Sequence, residues 1–257
     1  MRFLSTMYRR YVHFMTLKVI AYARNGHSDK FGVPRQSREE SPILTRIVFE
    51  PGYAIPEALR GIDGFSHLWL LWGFSENQSP INWSPTVRPP RLGGNKRMGV
   101  FATRSPFRPN PIGLSSVRNL TPTLSSREGV YIGESGRMEL IVSGADLVDG
   151  TPIYDIKPYL TYSDCHSDAQ NGFAEETANY QLSVTYDQSP MTNHQSPMPH
   201  IPEDIRRDIT YILSQDPRPG YQDDPDREYK MDYAGYTITF HVKEKTVIVK
   251  NIEKKLK

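Results

Sequence analysis

Arginine side chains on stiff loops are the residues of this sequence best suited to chemistry on an anion. Between Asn77 and Arg127, a window of 51 residues, the chain has eight basic residues and no aspartate or glutamate, although its net charge is only +2. Guanidinium groups on loops stiffened by proline and glycine can hold a phosphate or a carboxylate in a fixed geometry. The window therefore predicts an anion-binding site, with a solvated loop face as the other interpretation.

Two arginines in this window have a constrained setting. Arg104 and Arg108 flank Ser-Pro-Phe, and Asn110 lies between two prolines. Such a segment cannot form a regular helix or a central strand. We expect it to present both guanidinium groups on a rigid loop, while Phe107 either joins them or plugs the core.

Four further residues are candidates outside this pattern. His67 shares a strand face with apolar residues, which favours a core histidine over a catalytic base. Asp155 and Lys157 share another strand face, where an exposed ion pair is the default and a catalytic pair the alternative. Arg218 repeats the arrangement of an arginine between prolines. Its segment is either a helix-ending loop or a second wall of the same site, supplied by this chain or by a dimer partner.

Several functional classes are excluded. The chain has no GxGxxG and no GxxxxGK[ST] string, so neither a dinucleotide fold nor a P-loop is expected. Its seven histidines lack metal-ligand spacing, which predicts no metal site. The single Cys165 fits a reducing cytoplasm. No apolar run reaches the roughly 20 residues that cross a membrane, and the first 14 residues lack the apolar core of a signal peptide.

Short strands must position these side chains. The patterns predict a short helix over 55–62 and a strand over 65–74 that is buried on both faces. Many strands at this spacing indicate a barrel or a sandwich, so the fold class is mainly β. The other predicted strands cover 17–23, 43–49, 99–103, 113–120, a pair around 133–136, and 152–160.

The composition changes at Asp164. Residues 188–199 resemble a linker or loop, and 203–215 are predicted to form a helix with Ile205, Ile209 and Ile212 or Leu213 on one face. Strands over 233–242 and 246–252 form a hairpin, which gives a small α+β (β-α-β-β) domain. The expected organisation is a disordered leader (1–15), a barrel domain (16–165), a variable linker (166–180) and a C-terminal domain (181–257).

Several long strings resemble the TrmO family of tRNA methyltransferases, which carry a TsaA-like β-barrel. The resemblance runs from about Thr16 to the C-terminus, and only 1–15 and 163–199 depart from it. The matching strings are Val33–Gln36, Leu59–Gly61, Phe65–Trp69, Thr86–Asn95, Met98–Gly113, Asp146–Pro152, Asp155–Leu160 and Gln215–Pro219.

The resemblance implies that the barrel domain binds S-adenosylmethionine and that the protein acts as a homodimer. Arg104 would pair the cofactor carboxylate, Asp149 or Glu76 would accept from the ribose or the ammonium group, and the Asp149-Gly150 backbone would reach the adenine. The implied cofactor-binding residues are Gln36, Ser37, Arg38, Ser75, Glu76, Arg104, Leu114, Val148, Asp149, Gly150 and Thr151.

The implied reaction is methylation of N6-threonylcarbamoyladenosine beside the anticodon of tRNA, with Asp155 as the candidate base. The anticodon stem-loop would be read by stacking and by contacts to base edges while basic residues follow its phosphates. The candidates for the latter role are Arg88, Arg91, Lys96, Arg97, Arg108 and Arg218. A non-catalytic RNA-binding module of the same fold and a small-molecule methyltransferase are the alternatives.

Overall fold

A computed structural model describes most of the chain. The described residues are 16–76, 83–89, 96–121, 131–133, 136–177, 180–187, 201–218, 224 and 226–255. The expected leader, Arg91 and the predicted loop over 188–199 lie outside these ranges.

Strands dominate the described residues, which confirms the mainly β fold class. In chain order they are β1 (Ala21–Arg24), β2 (Leu44–Phe49), β3 (His67–Gly73), β4 (Thr86–Val87), β5 (Met98–Gly99), β6 (Ile112–Asn119), β7 (Tyr131–Ile132), β8 (Met138–Ser143), β9 (Pro152–Pro158), β10 (Ser183–Tyr186), β11 (Tyr229–Tyr233), β12 (Tyr236–Lys243) and β13 (Thr246–Lys254). The α-helices within the described ranges are α1 (Thr161–Asp164) and α2 (Glu203–Ser214).

The larger sheet is barrel-like. Its seven strands follow the order β2-β1-β9-β3-β6-β8-β7, and an additional pairing joins β2 to β8. These pairings are antiparallel. Inward side chains form one core, which includes Ala21, Ile47, Leu68, Leu140 and Ile153.

The C-terminal part forms a smaller α+β unit. Its four-stranded sheet has the order β10-β13-β12-β11, and only its β10–β13 pair is parallel. Helix α2 lays Ile209, Ile212 and Leu213 into this sheet's core, as its periodicity predicts. Glu203 and Asp204 lie in its first turn, where the helix dipole favours negative charge.

The predicted hairpin has one strand more than the sequence pattern indicates. Ala234 and Gly235 both have positive φ, so they form a two-residue turn that separates β11 from β12. The prediction of a continuous strand over 233–242 is therefore wrong at its start. An Ala-Gly pair carries a weaker turn signal than Asn-Gly, which explains the error.

Local predictions failed at three other points. Residues 55–62 form 3₁₀ turns at Pro56–Leu59 and Ile62–Gly64 and not one helix, because Gly61 lies between them with φ of 86°. The expected strand over 99–103 becomes a 3₁₀ turn after Gly99. Strand β3 is not buried on both faces: it alternates, which leaves His67, Trp69 and Leu71 partly exposed on its outer face.

Candidate functional site

The segment Gln36–Arg38 is fixed by a close backbone approach to Gly144. The Arg38 amide donates to the Gly144 carbonyl over 3.2 Å. Gly144 has φ of +84°, and a Cβ atom there would lie 2.6 Å from the Arg38 carbonyl oxygen. Only glycine fits this position, because a side chain would meet both backbone strain and a collision.

Asp146 lies two residues beyond Gly144, and it is half-buried beneath the segment Gln36–Arg38. Ser115 donates its hydroxyl proton to Asp146 Oδ1, and Trp72 Nε1 donates to Ser115 Oγ over 2.8 Å. Burial raises the pKa of Asp146, while the bonds from Ser115 and the Ser37 backbone and the charge of Arg104 oppose that rise. A buried carboxyl next to an arginine is typical of a functional site.

Trp72 reaches Ser115 because the residue opposite it is Gly113. These two residues are cross-strand partners on β3 and β6. A Cβ atom at Gly113 would lie 2.2 Å from the indole ring of Trp72. The glycine therefore gives the indole the space from which it bonds Ser115.

Arg104 completes this group of residues. Its Nη1 atom donates to Gln36 Oε1 over 2.5 Å, and its guanidinium remains exposed. The structure thus brings together Gln36, Ser37 and Arg104, three residues predicted from sequence, and adds Asp146. The exposed donors of Arg104 can bind a ligand that carries its own carboxylate.

The turn Val148–Thr151 is built by backbone hydrogen bonds. The Asp149 amide donates to the His27 carbonyl over 2.8 Å, and the Gly150 amide donates to Ala23 over 2.8 Å. Thr151 Oγ1 donates to the Val148 carbonyl over 2.7 Å. The turn is therefore tied to the end of β1.

The Asp149 carboxylate already has protein partners. Arg24 Nη1 donates to Oδ2 over 3.3 Å, and the backbone amide of Asn25 donates to Oδ1 over 3.0 Å. A ligand hydroxyl at this carboxylate would share its oxygens with these donors, and the predicted role of Asp149 stays a prediction.

Asp155 and Leu114 lie on one row of the sheet. Leu71 pairs with Asp155 on one side and with Leu114 on the other, across neighbouring antiparallel strands. Leu114 is 51% exposed, and Asp155 forms an exposed ion pair with Lys157 over 2.7 Å. The default interpretation of that ion pair from the sequence is therefore what the structure shows. Its catalytic alternative stays a prediction.

Ser75 and Glu76 follow the end of β3 and are exposed. The backbone of the preceding Phe74 is fixed by a hydrogen bond to the Pro111 carbonyl over 3.0 Å. Ser75 and Glu76 thus lie near the start of β6, the strand to which Leu114 belongs.

Three of the predicted tRNA-binding residues cluster at the tip of a small ribbon. Strands β4 and β5 pair Val87 with Met98, so Arg88 and Arg97 follow at the same end. Arg88, Lys96 and Arg97 are exposed, and Arg97 Nη1 donates to Thr86 Oγ1 over 3.1 Å. The ribbon therefore presents concentrated positive charge.

The other two described candidates are held more tightly. Arg108 is half-buried and donates to the Thr103 carbonyl over 3.3 Å. Arg218 is only 7% exposed, and its guanidinium forms two hydrogen bonds to Asp216, at 2.8 and 3.0 Å. Direct contact of Arg218 with RNA would require this buried pair to open.

The structure excludes one of the two alternatives for Phe107 and corrects the prediction for His67. Phe107 is 54% exposed, so it does not plug the core, because its loop runs over the surface. His67 is partly exposed and not a core residue. Its Nδ1 shares a hydrogen bond with Ser66 Oγ at 2.9 Å, and its Nε2 lies 3.8 Å from Glu39.

Sequence reasoning missed Asp146, Ser115 and Trp72 as parts of the site. Asp146 opens a string that was singled out, but the inward direction of Ser115 follows only from alternation along β6. Within the described ranges, no group of three or more His, Cys, Asp or Glu side chains is arranged to hold a metal ion. In the same ranges, no helix has the length and apolar character needed to span a membrane.

Two family models match this chain. The model of the tRNA-methyltransferase O N-terminal domain matches residues 22–165. The model of the TrmO C-terminal domain matches residues 179–255. Together they cover most of the sequence.

Curated relatives and a solved structure agree with these matches. The chain is 37% identical over 227 residues to the tRNA (adenine(37)-N6)-methyltransferase of Escherichia coli, which covers 87% of this chain and 90% of that protein. It is 39% identical over 188 residues to the enzyme of the same name from Eikenella corrodens, covering 73% of this chain and 97% of that protein. The crystal structure of TrmO from Pseudomonas aeruginosa superimposes with a TM-score of 0.66 at 27% identity, covering 93% and 98% of the two chains.

Proposed function

Because this chain belongs to the TrmO family of tRNA methyltransferases, we propose that it methylates N6 of N6-threonylcarbamoyladenosine beside the anticodon. The relatives named above are tRNA (adenine(37)-N6)-methyltransferases, which supports the tRNA substrate and the methylated atom. The threonylcarbamoyl group is the finer part of the proposal, and it follows from the resemblance of the motifs.

The residues around Asp146 fit S-adenosylmethionine. The exposed Arg104 guanidinium can pair the carboxylate of the cofactor, and Gln36 orients that guanidinium over 2.5 Å. Asp146 and the Ser37 backbone lie directly beneath. Bound S-adenosylmethionine would supply a methyl group on a sulfonium sulfur, and Arg38 completes the binding segment.

The remaining cofactor residues surround this position in our proposal. The backbone of Val148–Thr151 has a fixed conformation and can contact the adenine edge. Leu114 offers an exposed apolar surface, and Ser75 and Glu76 offer polar groups beside it. A relative from Pseudomonas aeruginosa, 37% identical over 225 residues, has a name that describes an S-adenosylmethionine-dependent methyltransferase, which supports this cofactor.

Catalysis would depend mainly on positioning, because methyl transfer is an in-line displacement. The N6 atom gains the methyl group and loses its proton. That proton belongs to a urea-like nitrogen and is more acidic than that of an ordinary amine, so a weak base suffices. Asp155 is our candidate base, because it shares a row of the sheet with Leu71 and Leu114.

The anticodon stem-loop would bind along the basic ribbon. Arg88, Lys96 and Arg97 are exposed and concentrated at its tip, where they can contact phosphates. Arg108 and Arg218 complete the predicted set, together with Arg91, which lies outside the described residues. We further propose a cytoplasmic homodimer.

The convergence of Gln36, Ser37 and Arg104 on Asp146 is the observation that carries this proposal. The decisive experiment measures the methylated adenosine in tRNA by mass spectrometry, in a strain that lacks the gene and in the same strain carrying wild type or Arg104→Ala. We expect the modification to disappear, to return with wild type, and to return poorly with Arg104→Ala. Unchanged methylation in the deletion strain would contradict the function.

Calorimetry with S-adenosylmethionine separates the enzyme from an RNA-binding module of the same fold. We expect wild type to bind the cofactor and Arg104→Ala to bind it at least tenfold more weakly, which corresponds to about 1.4 kcal/mol. Absence of binding by wild type at millimolar cofactor would favour the non-catalytic alternative.

A further inference from the structure

A pocket of about 310 Å³ lies on the outer face of the barrel-like sheet, beside the turn at Asp149. None of its lining residues except Asp149 belongs to the predicted cofactor or tRNA sites. The pocket is lined by Arg24, Asn25, Leu44, Arg46, Ile141 and Asp149.

The two arginines of this pocket lie directly opposite each other. Arg24 on β1 pairs with Arg46 on β2 in the antiparallel register, and both are exposed. Like charges at directly opposite positions destabilise a sheet. The pairing itself therefore does not stabilise the sheet, whereas an anion between the two guanidinium groups would.

The positive charge of the pocket is only partly balanced. Asp149 lies 3.3 Å from Arg24 and holds that guanidinium at the pocket wall. Considering only the residues that the structure describes, Arg46 has neither an ion pair nor a side-chain hydrogen bond. Its donors are therefore available to a ligand.

A third arginine extends this surface. Arg118 on β6 pairs with Ser143, and Ser143 pairs with Leu44 on its other side. Arg118 is also exposed. The route from β1 through β2 and β8 to β6 crosses three pairs of neighbouring strands. At roughly 4.8 Å for each pair, the basic surface extends over about 14 Å.

We infer that the Arg24–Arg46 pocket binds a backbone phosphate of the tRNA, with Arg118 contacting the strand further along. This inference rests on the proposed function. The planar guanidinium fork matches phosphate geometry, and Leu44 and Ile141 can pack against the adjoining sugar. Asp149 belongs both to this pocket and to the proposed cofactor turn, so a phosphate bound here lies next to the reaction site.

The test measures tRNA affinity by fluorescence anisotropy at several salt concentrations, for wild type, Arg46→Ala and Arg118→Ala. Arg60→Ala is the matched control, because Arg60 is an exposed arginine after a 3₁₀ turn and lies outside the pocket. Each lost phosphate contact should weaken binding severalfold and reduce the slope of log K against log salt by about 0.7–0.9. Arg60→Ala should match wild type.

Three results would overturn this inference. The first is that folded Arg46→Ala and Arg118→Ala proteins bind tRNA with the affinity and salt slope of wild type. A loss of affinity for S-adenosylmethionine with unchanged tRNA binding would assign the pocket to the cofactor carboxylate. A changed sedimentation coefficient with unchanged tRNA binding would assign this face to self-association. If wild type neither binds nor methylates tRNA, the proposed function itself fails, and that result is distinct from all three.

Discussion

Arg35 donates a hydrogen bond from Nη2 to the backbone carbonyl of Arg218 over 2.7 Å. The bond joins two segments in which an arginine follows a proline, although 183 positions separate them. Asp216 has positive φ and fixes the Arg218 guanidinium, so the C-terminal loop presents its carbonyl in a defined place. The C-terminal unit thereby supports the segment that leads directly into Gln36.

Arg35→Ala should weaken cofactor binding although Arg35 is not a predicted cofactor contact. A lost hydrogen bond of this kind costs about 0.5–1.5 kcal/mol, equivalent to roughly two- to tenfold in affinity. Calorimetry with S-adenosylmethionine measures the effect, and the exposed Arg227→Ala serves as the control. Wild-type affinity in Arg35→Ala would show that the C-terminal loop does not support the site.

Gly144→Ala should damage the site more than an equal change elsewhere. Gly144 and Gly61 have φ of +84° and +86°, but only at Gly144 does an added Cβ meet a neighbour, the Arg38 carbonyl at 2.6 Å. Gly144→Ala and the control Gly61→Ala should each lose about 1–2 kcal/mol of stability, because alanine is strained in the left-handed backbone conformation. Only Gly144→Ala should also lose cofactor affinity. Chemical denaturation and calorimetry separate the two effects, and equal cofactor affinity in both variants would refute this role of Gly144.

Asp146→Asn should separate stability from function. Burial raises the pKa of Asp146, so its carboxylate lowers stability as the pH rises through that pKa. Asp146→Asn should therefore be at least as stable as wild type at pH 7.5. The difference in unfolding free energy between the two proteins should be smaller at pH 4. Its affinity for S-adenosylmethionine should fall about tenfold, because Arg104 and Ser37 lose a charged partner. A less stable variant with full affinity would contradict both expectations.

His27 should make the protein sensitive to acid. Burial lowers the pKa of His27 from 6.5 to about 4, and its ring packs edge-on against Tyr233 at 5.1 Å. The unfolded chain takes up the proton more readily, so stability is lost as the pH falls from 6.5 towards 4. Unfolding free energies of wild type and His27→Gln across this interval test the effect. A parallel pH dependence in the two proteins would rule it out.

The sequence predicts the elements whose signals are local. The periodicity of 203–215 gives the helix Glu203–Ser214, and the pattern of 113–120 gives the strand Ile112–Asn119, each within about one residue. The family motifs name Gln36 and Arg104, and the structure places these two side chains in contact.

The parts of the fold and of the site that the sequence does not predict depend on pairings between strands that are distant along the chain. Ser115 meets Asp146 only because alternation along β6 turns Ser115 inward, towards the segment that follows β8. The Arg24–Arg46 pair likewise follows from the register of β1 on β2. No local pattern contains these registers, so neither the buried carboxylate nor the arginine pocket is visible in the sequence.

The antiparallel pairing of β3 with β9 determines when the first sheet can be completed during synthesis of the chain. Strand β1 pairs with β2 and β3 pairs with β6, but both lack their second neighbour, β9, until the chain has grown past residue 158. Contacts this distant along the chain slow folding, because the entropy of closing the intervening loop opposes their formation. A ribosome-bound fragment that ends before β9 would hold Gln36 and Arg104 but would lack the strand that follows Val148–Thr151 and joins β1 to β3. Cofactor binding is therefore a property that the nascent chain acquires only near the completion of its first domain.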